Sequence, residues 1–215
     1  MWFKHLHLYR LHDGATIPAS DLEAALDGAM IAKMRNAGEA CTAANRFYVQ
    51  SGLHDAFVAG LTQRMAALQV GPGTEAGVQV GPMITSTSVA KIERLVADAV
   101  KQGARLHTGG KPLPGNGHFY PPTVLDNVPL HAEIAHTEIF GPVACVYRFD
   151  TEEEAIRLAN TTEYGLAAYV YSTDLSRAMR VGKALESGMV AINRGLMSDP
   201  AAPFGGVKQS GLGRE

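Results

Sequence analysis

The chain has 215 residues, 46% of them hydrophobic, and a formal net charge of −2. That length supports one sizeable core. The near-neutral balance, without a Lys/Arg run, gives no electrostatic footing for nucleic acid or a membrane surface. Two cysteines exclude a disulfide framework and fit a reducing, cytoplasmic setting, and no apolar run is long enough to span a bilayer.

In chain order, the opening Met1 to Arg10 lacks the apolar centre of a signal peptide. His5, His7 and His12 have no acidic or Cys partner at ligand spacing, so residues 1–20 read as an atypical, poorly ordered segment rather than a metal site. Ser20-Asp21-Leu22-Glu23 has capping-box spacing and opens a helix through Leu22, Leu26, Met30 and Met34, ended by Gly38. Arg46 to Val49 reads as a strand, and Leu53, Phe57, Leu61, Met65 and Leu68 mark the next helix.

After the Gly71-Pro72-Gly73 break, a helix from Ser88 places Ile92, Leu95, Val96, Ala99 and Val100 on its buried side and stops at Gly103. Ala104 to His107 is a candidate strand, and Gly109 to Pro122 a surface excursion rich in Gly and Pro. Strands follow at Val124-Leu125, Val143 to Phe149, Ala167 to Tyr171 and Met189 to Ile192. Helices at Glu152 to Ala159 and Leu175 to Leu185 separate them, and the tail from Asn193 is mostly loop. Strands alternating with helices predict an α/β fold with a largely parallel sheet covered on both faces, in one domain over residues 21–215.

The two cysteines differ in setting. Cys145 lies in the apolar strand Val143-Ala144-Cys145-Val146-Tyr147 and reads as a small buried hydrophobe. Cys41 follows Arg35-Asn36-Ala37-Gly38-Glu39-Ala40, among small and polar residues where a thiolate can be solvated and approached. Thiolates are the nucleophiles, so Cys41 is the candidate for covalent catalysis. Two further segments stand out. Glu138-Ile139-Phe140-Gly141-Pro142 leads a carboxylate and an aromatic ring into a strand. Pro203-Phe204-Gly205-Gly206-Val207-Lys208 is dense in glycine.

In this order and spacing, the three segments resemble the aldehyde dehydrogenase superfamily from about Leu22 to Glu215. The resemblance implies that Cys41 is the nucleophile, that Glu138 contacts the nicotinamide-side ribose of NAD or NADP, and that Phe140 packs near the nicotinamide. Arg35 and Asn193 to Ser198 narrow the likeness to the succinate-semialdehyde dehydrogenase branch. There Arg35 and Ser198 would hold the distal carboxylate of a small aldehyde, with Phe204 also on the substrate side; Arg194 is a weaker candidate. A guanidinium fork suits a carboxylate.

Some positions depart from the family. Cys41 is followed by Thr42-Ala43, so the second cysteine of a redox switch is missing, and Glu39 stands where many members have Gln. Tyr9 to Gly14 carries no E-L-G-G motif for the general base, and no G-x-G-x-x-G follows a strand. The expectation is therefore a C-terminal catalytic-domain fragment with most of the cofactor site absent and impaired activity. The alternative is a non-catalytic remnant that self-associates or joins full-length subunits.

Overall fold

The computed structural model describes residues 4–8 and 19–215. Seven strands form one sheet: β1 (Lys4–Leu8), β2 (Arg46–Gln50), β3 (Arg105–Thr108), β4 (Thr123–Asp126), β5 (Val143–Phe149), β7 (Ala167–Tyr171) and β8 (Met189–Ile192), in the order β3-β4-β5-β2-β1-β7-β8. Every neighbouring pair is parallel except β3–β4, an antiparallel edge. Two short strands, β6 (Tyr164–Gly165) and β9 (Val207–Lys208), pair antiparallel outside this sheet.

Within the first twenty residues, which the sequence reads as poorly ordered, Lys4–Leu8 forms the strand β1. Lys4–Leu8 fills the slot between β2 and β7, with His5 opposite Arg46 and Ala168. Its alternation of His and Leu is a period-two signal, and two interior strands would otherwise present unpaired edges. His12 and the stretch around it lie outside the described residues.

Helices cover both faces, as the pattern predicts. On one face, α1 (Ala19–Met34) and α2 (Ser51–Ala66) bury Leu26, Ala29, Phe57 and Leu61 against Phe47, Val49, Ala144, Val146, Tyr169 and Tyr171. On the other, α3 (Ser86–Lys101), α4 (Glu133–His136), α5 (Glu152–Asn160) and α6 (Leu175–Ala184) meet Tyr48, Cys145, Tyr147, Ala168 and Val170. The two sets alternate along each strand, because successive side chains point to opposite faces. Burial on both faces explains why these strands read as continuous apolar runs.

Side-chain caps set several helix starts. Thr85 accepts from the Ser88 N–H at 3.1 Å, Thr151 from Glu154 at 3.2 Å and Asp174 from Arg177 at 3.0 Å. Each satisfies an amide that the first helical turn leaves unpaired. Helix α3 thus begins at Ser86 rather than Ser88, and Val100 is solvent-facing rather than buried. Gly103, at φ +112°, supplies the left-handed residue after its end. The short helix α4 and the β6–β9 pair had no sequence signal strong enough to predict them.

Candidate active site

Helix α1 delivers the loop that carries Cys41. It ends at Met34, and Arg35–Gly38 makes a tight turn in which Asn36, Ala37 and Gly38 all have positive φ (49°, 52° and 78°). The Asn36 side chain secures this turn by donating from Nδ2 to the Glu39 carbonyl at 2.9 Å. A second turn follows at once, closed by Ala43 N–H to the Ala40 carbonyl at 2.9 Å. Cys41 sits at its exposed crest, as a free thiol, and Ala44 N–H returns the chain to the Ala32 carbonyl of α1. The chain then enters β2.

The other predicted segments arrive at the same edge of the sheet. Glu138 and Phe140 lie just before β5, which is the parallel neighbour of β2 with Arg46 opposite Cys145. Loops entering parallel neighbours from the same direction must lie side by side. The packing is intimate: a Cβ built on Gly38 would fall 2.2 Å from the Gly141 carbonyl oxygen. The third segment joins through β9, whose partner β6 leads into β7. A Cβ on Gly188, just before β8, would fall 2.1 Å from the Gly205 carbonyl oxygen. These glycines are there because backbone meets backbone.

Arg35 and Ser198 are brought together across 163 positions of sequence, Arg35 Nη1 lying 3.5 Å from Ser198 Oγ. Gly195 sets this register, since a Cβ there would meet the Gly28 carbonyl oxygen of α1 at 2.3 Å. Arg194 is exposed and takes no part in this pairing. Phe204 is half-buried and exchanges backbone hydrogen bonds with Glu215 in both directions. A cavity of about 350 Å³ beside it is lined by Pro200 to Pro203, Arg214 and Glu215, and by none of the predicted site residues.

Glu138 and Phe140 are both half-buried, and Phe140 holds φ +53°. Lys91 of α3 donates to the Glu138 carbonyl at 3.1 Å. Burial holds the Lys91 ammonium below its usual range, and the Glu138 charge works against that shift. Nothing in the sequence around Lys91 distinguished it from a surface helix cation. Two further bonds around Cys41 had no signal in the sequence. Glu39 accepts from the Ile84 N–H at 3.1 Å, tying the Cys41 loop to the loop before α3. Tyr169, on β7, donates from its hydroxyl to the Thr42 carbonyl at 2.8 Å. A strand tyrosine reads as plain core, so only its neighbours in space reveal this bond.

Cys145 is buried as expected. Burial pushes its thiol up to about 12, against the opposing charges of Lys33 and Arg46. It is therefore an inert thiol at neutral pH, while Cys41 faces solvent.

These features define an α/β domain, covered on both faces, with a solvent-facing thiol on the turn into a central strand. The chain belongs to the aldehyde dehydrogenase family, which it matches over residues 16–215. It is 56% identical over 196 residues to a succinate-semialdehyde dehydrogenase of Paenarthrobacter nicotinovorans, covering 91% of this chain and 44% of that protein. It is 53% identical over 196 residues to a glutarate-semialdehyde dehydrogenase of Pseudomonas aeruginosa, covering 91% of this chain and 41% of the relative. Its fold superposes on the crystal structure of a succinate-semialdehyde dehydrogenase from Burkholderia pseudomallei with TM-score 0.92 and 48% identity, over 100% of this chain and 43% of that one. The chain thus spans less than half the length of these relatives.

Proposed function

We propose that this chain carries the thiol and the substrate-carboxylate grip of an enzyme that oxidises a short aldehyde acid, of the succinate semialdehyde type, to the dicarboxylic acid. The observation that supports this most is the pairing of Arg35 with Ser198 beside the exposed Cys41 loop. A cation and a hydroxyl one short turn from a nucleophile suit a substrate with an anion at one end and an electrophilic carbon at the other. The semialdehydes in the names of the two relatives both have that form.

In this reading the Cys41 thiolate adds to the aldehyde carbon and forms a thiohemiacetal. The Cys41 N–H lies on the same turn and donates to the developing oxyanion. A bound nicotinamide cofactor supplies the hydride acceptor. The thioester left on Cys41 is then hydrolysed by water, which releases the acid and restores the thiol. Glu138 and Phe140 fit the nicotinamide half of NAD or NADP: a half-buried carboxylate to accept from ribose hydroxyls, and a half-buried ring, on the loop packed against Gly38. Neither residue reads the ribose 2′ position, so the choice between NAD and NADP rests elsewhere.

The test is protection of Cys41 from iodoacetamide, followed by peptide mass mapping. Succinate semialdehyde is expected to slow alkylation far more than an uncharged aldehyde of equal length. Arg35→Ala should lower that protection about 10- to 100-fold, in line with the loss of a charge-assisted hydrogen bond of about 1.5–3 kcal/mol. Equal protection by both aldehydes would remove the carboxylate-binding role. Aldehyde-dependent cofactor reduction that survives Cys41→Ala would remove the nucleophile.

A further inference from the structure

We propose that Tyr169 is a positioning residue for the nucleophile: its hydroxyl fixes the turn that aims the Cys41 backbone N–H at the reacting carbonyl. The inference rests on Cys41 being the nucleophile, and it concerns how that residue is held.

The geometry runs through two peptide planes. Tyr169 donates to the Thr42 carbonyl oxygen at 2.8 Å. The other side of that peptide is the Ala43 N–H, which donates to the Ala40 carbonyl at 2.9 Å. The Ala40 carbonyl in turn shares its peptide plane with the Cys41 N–H. Peptide units are planar, so fixing one side of each fixes the direction of the other. The bond from Tyr169 thus reaches the Cys41 N–H by way of the Ala40–Ala43 turn.

The anchor itself is rigid. Tyr169 lies on β7 and is 1% exposed, within the core between the sheet and α1. Burial pushes its phenol up to about 12, so the hydroxyl keeps its proton and remains a donor at neutral pH. Arg35 and Cys41 both lie close enough to bias that ionisation. On the other flank, Asn36 and Glu39 hold the segment before the turn. The crest bearing Cys41 is left exposed between two fixed ends.

The experiment compares two reactions of the same thiol in the full 215-residue chain. With p-nitrophenyl acetate, a Cys41 Sγ–C bond forms, the carbonyl π pair moves onto oxygen, and the intermediate collapses to expel p-nitrophenolate. Water then cleaves the thioester to acetate and the free thiol. With iodoacetamide, the Sγ–C bond forms as iodide leaves, and no oxyanion arises. A mis-aimed Cys41 N–H should slow only the first reaction.

Tyr169→Phe is expected to lower the acylation rate about tenfold, a part of the 10²–10³ that a whole oxyanion donor contributes. Alkylation of Cys41 should stay within about twofold. An unchanged ratio of the two rates, or a parallel fall in both, would overturn the proposal. If Tyr169→Phe fails to fold, 3-fluorotyrosine placed at 169 keeps the ring and gives a stronger donor. The ratio should then rise, and an unchanged ratio would overturn the proposal. Cys41→Ala separates the two readings: acylation that persists at the parent rate there refutes the nucleophile, whatever Tyr169 does.

Discussion

Gly38 shows how much of the site depends on a single missing atom. Its φ of +78° and the Gly141 carbonyl pressed against it leave no room for a Cβ. Gly38→Ala is expected to cost about 1–3 kcal/mol from backbone strain alone, with the clash adding to it, and to alter Cys41 alkylation as the two loops separate. Gly52, on the first turn of α2, has nothing within 4 Å of its built Cβ. Gly52→Ala should therefore be neutral or stabilising by up to about 1 kcal/mol. Urea unfolding of the two variants checks both outcomes, and a Gly38→Ala protein as stable as the parent would refute the close-packed arrangement. The sequence located Gly38 beside Cys41, but it read the glycine as a helix stop. Its contact with Gly141 joins residues a hundred positions apart, and no local pattern encodes that.

At the scale of elements, α5 and α6 are joined by a charged contact as well as by packing. Glu152 accepts two hydrogen bonds from Arg180, at 2.7 and 2.8 Å, and lies 3.4 Å from Arg177. The Arg180 hydrogen bond, with the charges of Arg180 and Arg177, holds the Glu152 carboxyl below its ordinary 4.5, against the opposing effect of burial. A carboxyl depressed in the folded state stabilises above its unfolded value, and the gain disappears as pH falls through the folded value. The melting-temperature difference between wild type and Arg180→Met should therefore be present at pH 7 and shrink steadily below about pH 4.5. A difference that does not vary with pH would mean that Arg180 acts through packing alone. The sequence placed both helices to within a residue or two. It could not pair Glu152 with Arg180, because that partner is chosen by how the helices lie on the sheet.

For the whole molecule, the arrangement of the sheet decides what the chain can bind. Three loops meet at one edge because β2, β5, β7 and β8 run parallel, and they bring together the Cys41 thiol, the Arg35–Ser198 pair and the Glu138–Phe140 loop. No glycine-rich G-x-G-x-x-G follows a strand in the sequence. Calorimetry with NAD and NADP on this chain is accordingly expected to give weak binding, with Kd of about 1 mM or above, some 4 kcal/mol or less. Micromolar affinity would show that residues beyond Glu138 and Phe140 hold the cofactor on this chain. Exposed apolar side chains such as Ile84 and Leu175 are spread over different elements. Leu175 and Met179, four residues apart on α6, are exposed together.

The sequence by itself determined the alternation of strands and helices, the contrast between Cys41 and Cys145, and the three segments that carry the family likeness. These are local properties: apolar period, glycine and proline positions, and the polarity of immediate neighbours. Tertiary structure alone decided that Lys4–Leu8 completes the sheet, that Gly38 rests on Gly141, and that Tyr169 grips the Thr42 carbonyl. Each of these joins positions that are far apart in the chain. Strand order and helix placement bring such positions together, and one sequence read on its own contains no record of that proximity.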